Sequence, residues 1–187
     1  MKKFSFRGFG KTIVFIDATN IIYSLRSLGW KIDYKKLQKY FKRRVNLIDI
    51  YFYSAYAKEA KSQRGLFEML SRKGFILRTK PLKYIKQKGK IIKIKGDIDV
   101  ELAVDMIDLL RKYNTVILMS GDSDFTALVN YIKGKGKKVI IISTKYHVAH
   151  ELIEAADKYF NLRDFKRFWE LKKKVSKSKN PAKRGSG

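Results

Sequence analysis

Three short runs of unbroken, mostly β-branched apolar residues constrain this chain more than any other feature: Thr12-Ile13-Val14-Phe15-Ile16, Thr115 to Met119, and Val139 to Ile142. Such runs are too short for a core helix and show no alternation, so they read as strands covered on both faces. Segments of helical period stand between them. Leu37, Tyr40 and Phe41 fall at i, i+3 and i+4 within a predicted helix over 34–44, and further helices are expected over 20–28, 58–72, 99–112, 124–133 and 148–155. Additional strands are expected over 47–53, 75–79 and 138–143, with a short one at Tyr159-Phe160 followed by a helix carrying Phe165, Phe168 and Trp169. Buried strands alternating with helices build an α/β domain around a mostly parallel sheet.

The segment 82–95 breaks this pattern. Tyr84-Ile85-Lys86 and Ile91-Ile92-Lys93-Ile94 flank Gln87-Lys88-Gly89-Lys90, which reads as an inserted basic hairpin. Length favours one core: a basic lead over 1–10, a domain over 11–171, and a basic tail over 172–187 that lacks apolar anchors and is expected to be disordered.

Two of the buried runs end in acids, and acids are scarce. Forty-three Lys and Arg stand against 17 Asp and Glu, a formal net charge of +26, so the expected partner is a polyanion, with nucleic acid ahead of a membrane surface. The apolar runs of four or five residues fall far short of the roughly 20 that span a bilayer. The basic start Met1-Lys2-Lys3-Phe4 lacks an apolar h-region, so a cytoplasmic location without membrane attachment is expected. Cysteine is absent, which excludes disulfides, thiolate zinc sites and cysteine nucleophiles.

Asp17 follows the first buried run, and Asp122 and Asp124 follow the second. In open α/β sheets the crevice at the carboxyl ends of the strands is where ligands bind. If the two strands are neighbours their carboxylates lie close together, and the natural counter-ion for an all-oxygen donor set is a hard divalent cation. Helix capping accounts equally well for Asp17 or Asp122 taken singly, but one oxygen suffices per cap, so it leaves Asp122 and Asp124 together unexplained. Asp99 opens the predicted helix 99–112, where an acid also suits the macrodipole. On that helix Val100, Ala103, Val104, Ile107 and Leu110 form the expected core stripe, with Glu101, Asp105 and Asp108 on a solvated face.

The segments Phe15-Ile16-Asp17-Ala18-Thr19-Asn20, Lys95-Gly96-Asp97-Ile98-Asp99-Val100-Glu101-Leu102-Ala103-Val104-Asp105 and Ser120-Gly121-Asp122-Ser123-Asp124-Phe125 resemble the three signature blocks of the NYN domain. That is a PIN-like nuclease family that includes the LabA-like bacterial and archaeal proteins. Gly136 to Ile141 and Ala156 to Phe160 resemble the end of the same domain, and the likeness spans roughly 11–162. It implies a PIN-like, Rossmannoid three-layer α/β/α sandwich and metal-dependent cleavage of RNA. Asp17 and Asn20 match the first block, Asp99 the second, Asp122 and Asp124 the third. Asp97 and Asp105 are second-rank candidates.

The implied chemistry is phosphodiester hydrolysis by an endoribonuclease using Mg²⁺ or Mn²⁺. Asp17, Asp99 and Asp122 are the expected primary metal ligands. Asp124 would orient water or join a second ion, and Asn20 would hydrogen-bond a ligand or a phosphate oxygen. Small-molecule cofactors are not expected, and a homodimer is left open. His147 and His150, spaced i, i+3 with no third ligand nearby, suit surface or capping roles rather than zinc.

For the RNA itself, Lys80, Lys83, Lys86, Lys88, Lys90, Lys93 and Lys95 form an acid-free run in and around the hairpin, with Tyr84 as a stacking surface; Arg43 and Arg44 end a second basic run. The alternative class is a catalytically inactive RNA-binding or adaptor module that keeps the fold and its acids.

Overall fold

The computed structural model describes residues 8–57, 61–87 and 90–172. In chain order they form β1 (Lys11–Asp17), α1 (Ala18–Leu28), α2 (Tyr34–Arg44), β2 (Asn46–Tyr56), α3 (Lys61–Arg72), β3 (Ile76–Pro81), β4 (Lys83–Gln87), β5 (Lys90–Lys95), α4 (Asp99–Asp108), β6 (Thr115–Met119), α5 (Thr126–Gly134), β7 (Lys138–Ser143), α6 (His150–Ala155), β8 (Lys158–Asn161) and α7 (Lys166–Trp169).

Six strands make one sheet in the order β3-β2-β1-β6-β7-β8, and every neighbouring pair is parallel. The chain steps outward from β1 to β2 and β3, then crosses back to lay β6 on the other side of β1. The reversal falls between β1 and β6, whose carboxyl ends carry Asp17 and Ser120-Gly121-Asp122. As expected, 82–95 stands apart as an antiparallel pair, β4 with β5.

Alternation along β1 divides its side chains between two cores. Val14 and Ile16 pack with Ile21, Leu37, Phe41 and Trp169, whereas Ile13 and Phe15 pack with Leu102, Met106, Val129 and Ile132. The same split on β6 and β7 gives a sheet covered on both faces, which is why these strands lack polar alternation. Phe9 also lies in the first of these cores. Residues 1–7 of the expected lead and 173–187 of the expected tail lie outside the described residues.

Helix α4 corrects the expected helical wheel. Its buried residues are Leu102 and Met106, joined by the flanking Ile98 and Leu109, while Val100, Val104 and Ile107 are 71%, 58% and 41% exposed. Three polar side chains from the sheet explain the rotation. Tyr53 Oη donates to Asp105 Oδ2 (2.7 Å), Arg78 Nε donates to the same oxygen (2.8 Å), and Lys80 Nζ donates to Glu101 Oε1 (2.6 Å). Asp105 and Glu101 therefore do not sit on a free solvated face; they tie α4 to β2 and β3. The buried phenol of Tyr53 is the anchor, and its hydroxyl would otherwise lack a partner.

Candidate active site

Asp17 ends β1 and is 4% exposed. Its Oδ1 accepts the Asn20 backbone N–H at 3.1 Å, which caps α1, and its Oδ2 accepts Ser120 Oγ at 2.9 Å. One carboxylate thus serves the cap and also bridges the two strands at the reversal point. Burial pushes its pKa upward, opposed by the hydrogen bonds from Asn20 and Ser120 and reinforced by the charge of Asp122.

The loop after β6 is held by equally local chemistry. Asp122 Oδ1 accepts the Asp124 backbone N–H at 3.0 Å, capping a single 3₁₀ turn over Ser123–Phe125. Asn20 Oδ1 accepts the Gly121 N–H at 3.1 Å, so this amide oxygen fixes the loop and leaves the Nδ2 donor for a ligand or phosphate oxygen. Gly121 must be glycine for lack of room: a Cβ there would fall on the carbonyl of His147, with Ser143 Oγ also in the way. Close approach of the 144–149 segment follows, sealed by Ala149 N–H donating to Gly121 O at 3.0 Å.

Asp99 arrives from the third direction, at the first residue of α4. Its neighbour Asp97 accepts the Asp99 backbone N–H at 3.1 Å, which holds the Asp97 carboxyl below its ordinary value. Asp99 goes the other way and is pushed up to about 8, first by desolvation, then by its side-chain hydrogen bond to Asp97 and by the charges of Asp17, Asp97 and Asp122. Those electrostatic couplings bring Asp17, Asp99 and Asp122 into one field, with Asp97 as a fourth member. Among the described residues, no three Asp, Glu or His side chains are drawn tightly enough around one point to hold an ion as they stand. The donor set is nonetheless all oxygen and acid-rich, and a cation between these carboxylates would offset both the burial and the like charges that raise Asp99.

Ser120 and Asp97 are the site members that sequence reasoning passed over or ranked low. The signal for Ser120 was present: a small hydroxyl directly between a buried strand and Gly121-Asp122. The base of the hairpin is packed beside this region, because a Cβ on Gly96 would collide with Leu82 and Ala55.

The basic residues divide. Lys80 is engaged by Glu101 and by the Asp97 carbonyl (3.2 Å), so it positions the α4 entrance rather than standing as an open cation. Lys83 and Tyr84 are exposed on the hairpin; Lys88 and the side chains of Lys86, Lys90, Lys93 and Lys95 lie outside the described residues. Arg43 and Arg44 lead into Asn46, which pairs with Lys11 at the start of β1, while Tyr53 pairs with Asp17 at its end. Six strand steps, about 20 Å, therefore separate their end of the sheet from the acids. Arg44 lies over the Tyr40 ring at 5.4 Å. His150 pairs with Glu154 on the surface (3.5 Å), whereas His147 Nε2 meets Ser27 Oγ at 2.7 Å.

A parallel sheet in this order, covered on both faces and with acids at its point of reversal, defines a three-layer α/β domain consistent with the PIN-like fold. The model of the NYN domain matches residues 11–163, and the chain belongs to that family. It is 31% identical over 161 residues to the low amplitude and bright protein LabA of Synechococcus elongatus, covering 84% of this chain and 86% of that one. An uncharacterized protein of Methanocaldococcus jannaschii is 38% identical over 64 residues, 33% of this chain and 27% of its own. A crystal structure of a Vibrio parahaemolyticus protein of unknown function shares the fold, with a TM-score of 0.72 at 24% identity, covering 91% of this chain and 100% of that chain. Among the described residues no helix is long and apolar enough to cross a membrane.

Proposed function

We propose that this protein is a metal-dependent endoribonuclease acting on cytoplasmic RNA through the acids at the carboxyl edge of β1 and β6. The observation that carries the reading is the convergence of Asp17, Asp99 and Asp122 from three separate segments, where burial first, then the hydrogen bond to Asp97 and the charges of Asp17, Asp97 and Asp122, push Asp99 up to about 8. A fold gains nothing from holding like charges together, and such clusters mark functional sites.

Asp17, Asp99 and Asp122 would hold Mg²⁺ or Mn²⁺, with Asp124 and Asp97 within the same loops. When bound, the metal supplies an acidified water and neutralises charge on the phosphoryl oxygens. The chain's own contributions are positional. Ser120 Oγ and the Asn20 N–H fix both oxygens of Asp17 in orientation. Asn20 Oδ1 locks Gly121, and through it the direction of Asp122. Asp97 holds the start of α4, so that the Asp99 carboxyl faces the other acids.

Cleavage of labelled RNA in Mg²⁺ or Mn²⁺ tests this. We expect chelation by EDTA to abolish turnover, and Asp17→Asn to lower it by more than the ~10- to 100-fold typical of losing a group that merely orients a metal ligand. Cleavage that survives both changes overturns the reading.

A further inference from the structure

We propose that Tyr23, His147 and Tyr146 form a base-stacking subsite beside the acids, so that the substrate is a single strand of RNA with an unstacked nucleotide seated on the β7 side of the site. This deepens the nuclease reading and rests on it.

Most large aromatics of the described chain are buried in the two cores, yet Tyr23 is 63% exposed and Tyr146 85% exposed. Both sit where the fold has brought separate segments to the site. Tyr23 lies on α1, whose first turn is capped by Asp17. Tyr146 and His147 belong to the loop after β7 that packs directly on Gly121, one residue before Asp122. The rings of Tyr23 and His147 meet edge to face, with centroids 5.1 Å apart and planes at 79°. His147 is held there by Ser27, through Nε2 at 2.7 Å, and its Nδ1 makes no hydrogen bond among the described residues.

Each feature has a use toward a nucleotide. An exposed tyrosine face offers a stacking platform, and a fixed imidazole with one uncommitted nitrogen can hydrogen-bond a base edge. Arg26, one turn beyond Tyr23, and Lys145, beside Tyr146, are exposed cations suited to the flanking phosphates. The hairpin stands on the β3 side and this aromatic group on the β7 side, with the acids between them. A strand crossing the acids would therefore be gripped on both flanks. Duplex RNA keeps its bases stacked and would gain nothing from Tyr23.

The test is binding of a short fluorescent single-stranded oligoribonucleotide in EDTA, which separates affinity from turnover. It compares wild type with Tyr23→Ala, Tyr23→Phe, His147→Ala and Tyr146→Ala, each at a surface position where truncation leaves the core intact. We expect Tyr23→Ala to weaken binding about tenfold, Tyr23→Phe to retain it, His147→Ala and Tyr146→Ala to weaken it, and affinity for duplex RNA to be the same in all. RNA bound and cleaved with unchanged affinity in the alanine variants overturns the subsite alone. Aromatic-dependent binding without cleavage in any divalent metal overturns the nuclease reading alone. Failure of wild type to bind any single strand in EDTA overturns the subsite and would leave the exposed aromatics to a protein partner, and the same failure in Mg²⁺ and Mn²⁺ together with no cleavage overturns both.

Discussion

At the scale of single residues, the acids do two things that pull in opposite directions. Asp99 has a pKa of about 8 in the folded chain, against about 4 for a free aspartate. A raised carboxyl pKa means that the native state keeps a proton which the unfolded state gives up. Its stabilising contribution is complete below about pH 4 and is lost as the pH climbs toward 8. Burial of Asp17 adds to the same trend. The metal-free protein should therefore melt at progressively lower temperature from pH 5 to pH 8.5. Asp99→Asn, which keeps a hydrogen-bond donor but cannot ionise, should melt a few degrees above wild type at pH 8 and be almost inactive. Scanning calorimetry with and without Mg²⁺ checks this: the ion should raise the melting temperature of wild type and do so much less for the variant. A melting temperature for Asp99→Asn at or below wild type would remove the repulsion from the account.

Among the elements, the strands were the most legible part of the sequence and α4 the least. Thr115 to Met119 and Lys138 to Ser143 were placed to the residue, because a buried parallel strand can only be a continuous apolar run. Asp17 and Asp122 were legible for the same reason, since an acid abutting such a run has nowhere to go but the sheet edge. Helix α4 misled because Val100, Val104 and Ile107 repeat as regularly as Ile98, Leu102 and Met106 do, so periodicity alone offers two faces. The choice was made by Tyr53, Arg78 and Lys80, which lie 20 or more residues away in sequence and claim the helix's acids. The roles of Asn20 and Ser120 were hidden likewise, since their partners Gly121 and Asp17 lie more than 100 residues distant. The two faces of α4 should respond differently to substitution. Leu102→Ala should cost about 2–5 kcal/mol, whereas Val104→Lys should change stability by no more than about 0.5 kcal/mol. Urea denaturation of the two variants measures this directly, and equal losses would restore the original wheel.

For the molecule as a whole, the formal charge is +26, and among the described residues the hairpin base and the Arg43-Arg44 pair stand at opposite ends of the strands, with different relations to the acids. Single-strand affinity should fall as salt is raised, with a slope of about −0.7 in log–log form for each phosphate neutralised. Because Arg43 and Arg44 stand at the far edge, replacing both with alanine should leave the cleavage rate at saturating RNA within about twofold of wild type and flatten the salt slope by less than one phosphate equivalent. A large loss of turnover in that double variant would mean that the substrate wraps the body instead of crossing one edge. The bridge between Ser120 and Asp17 spans 103 residues of chain, and this separation has a bearing on the life of the protein in the cell. While the chain is being made, Asp17 leaves the ribosome long before Ser120 and Asp122 exist, and Asp99 comes between them. A half-made molecule carries Asp17 without the site partners Asp99 and Asp122. On that reading the site is assembled only when β6 pairs with β1 and Ser120 reaches Asp17.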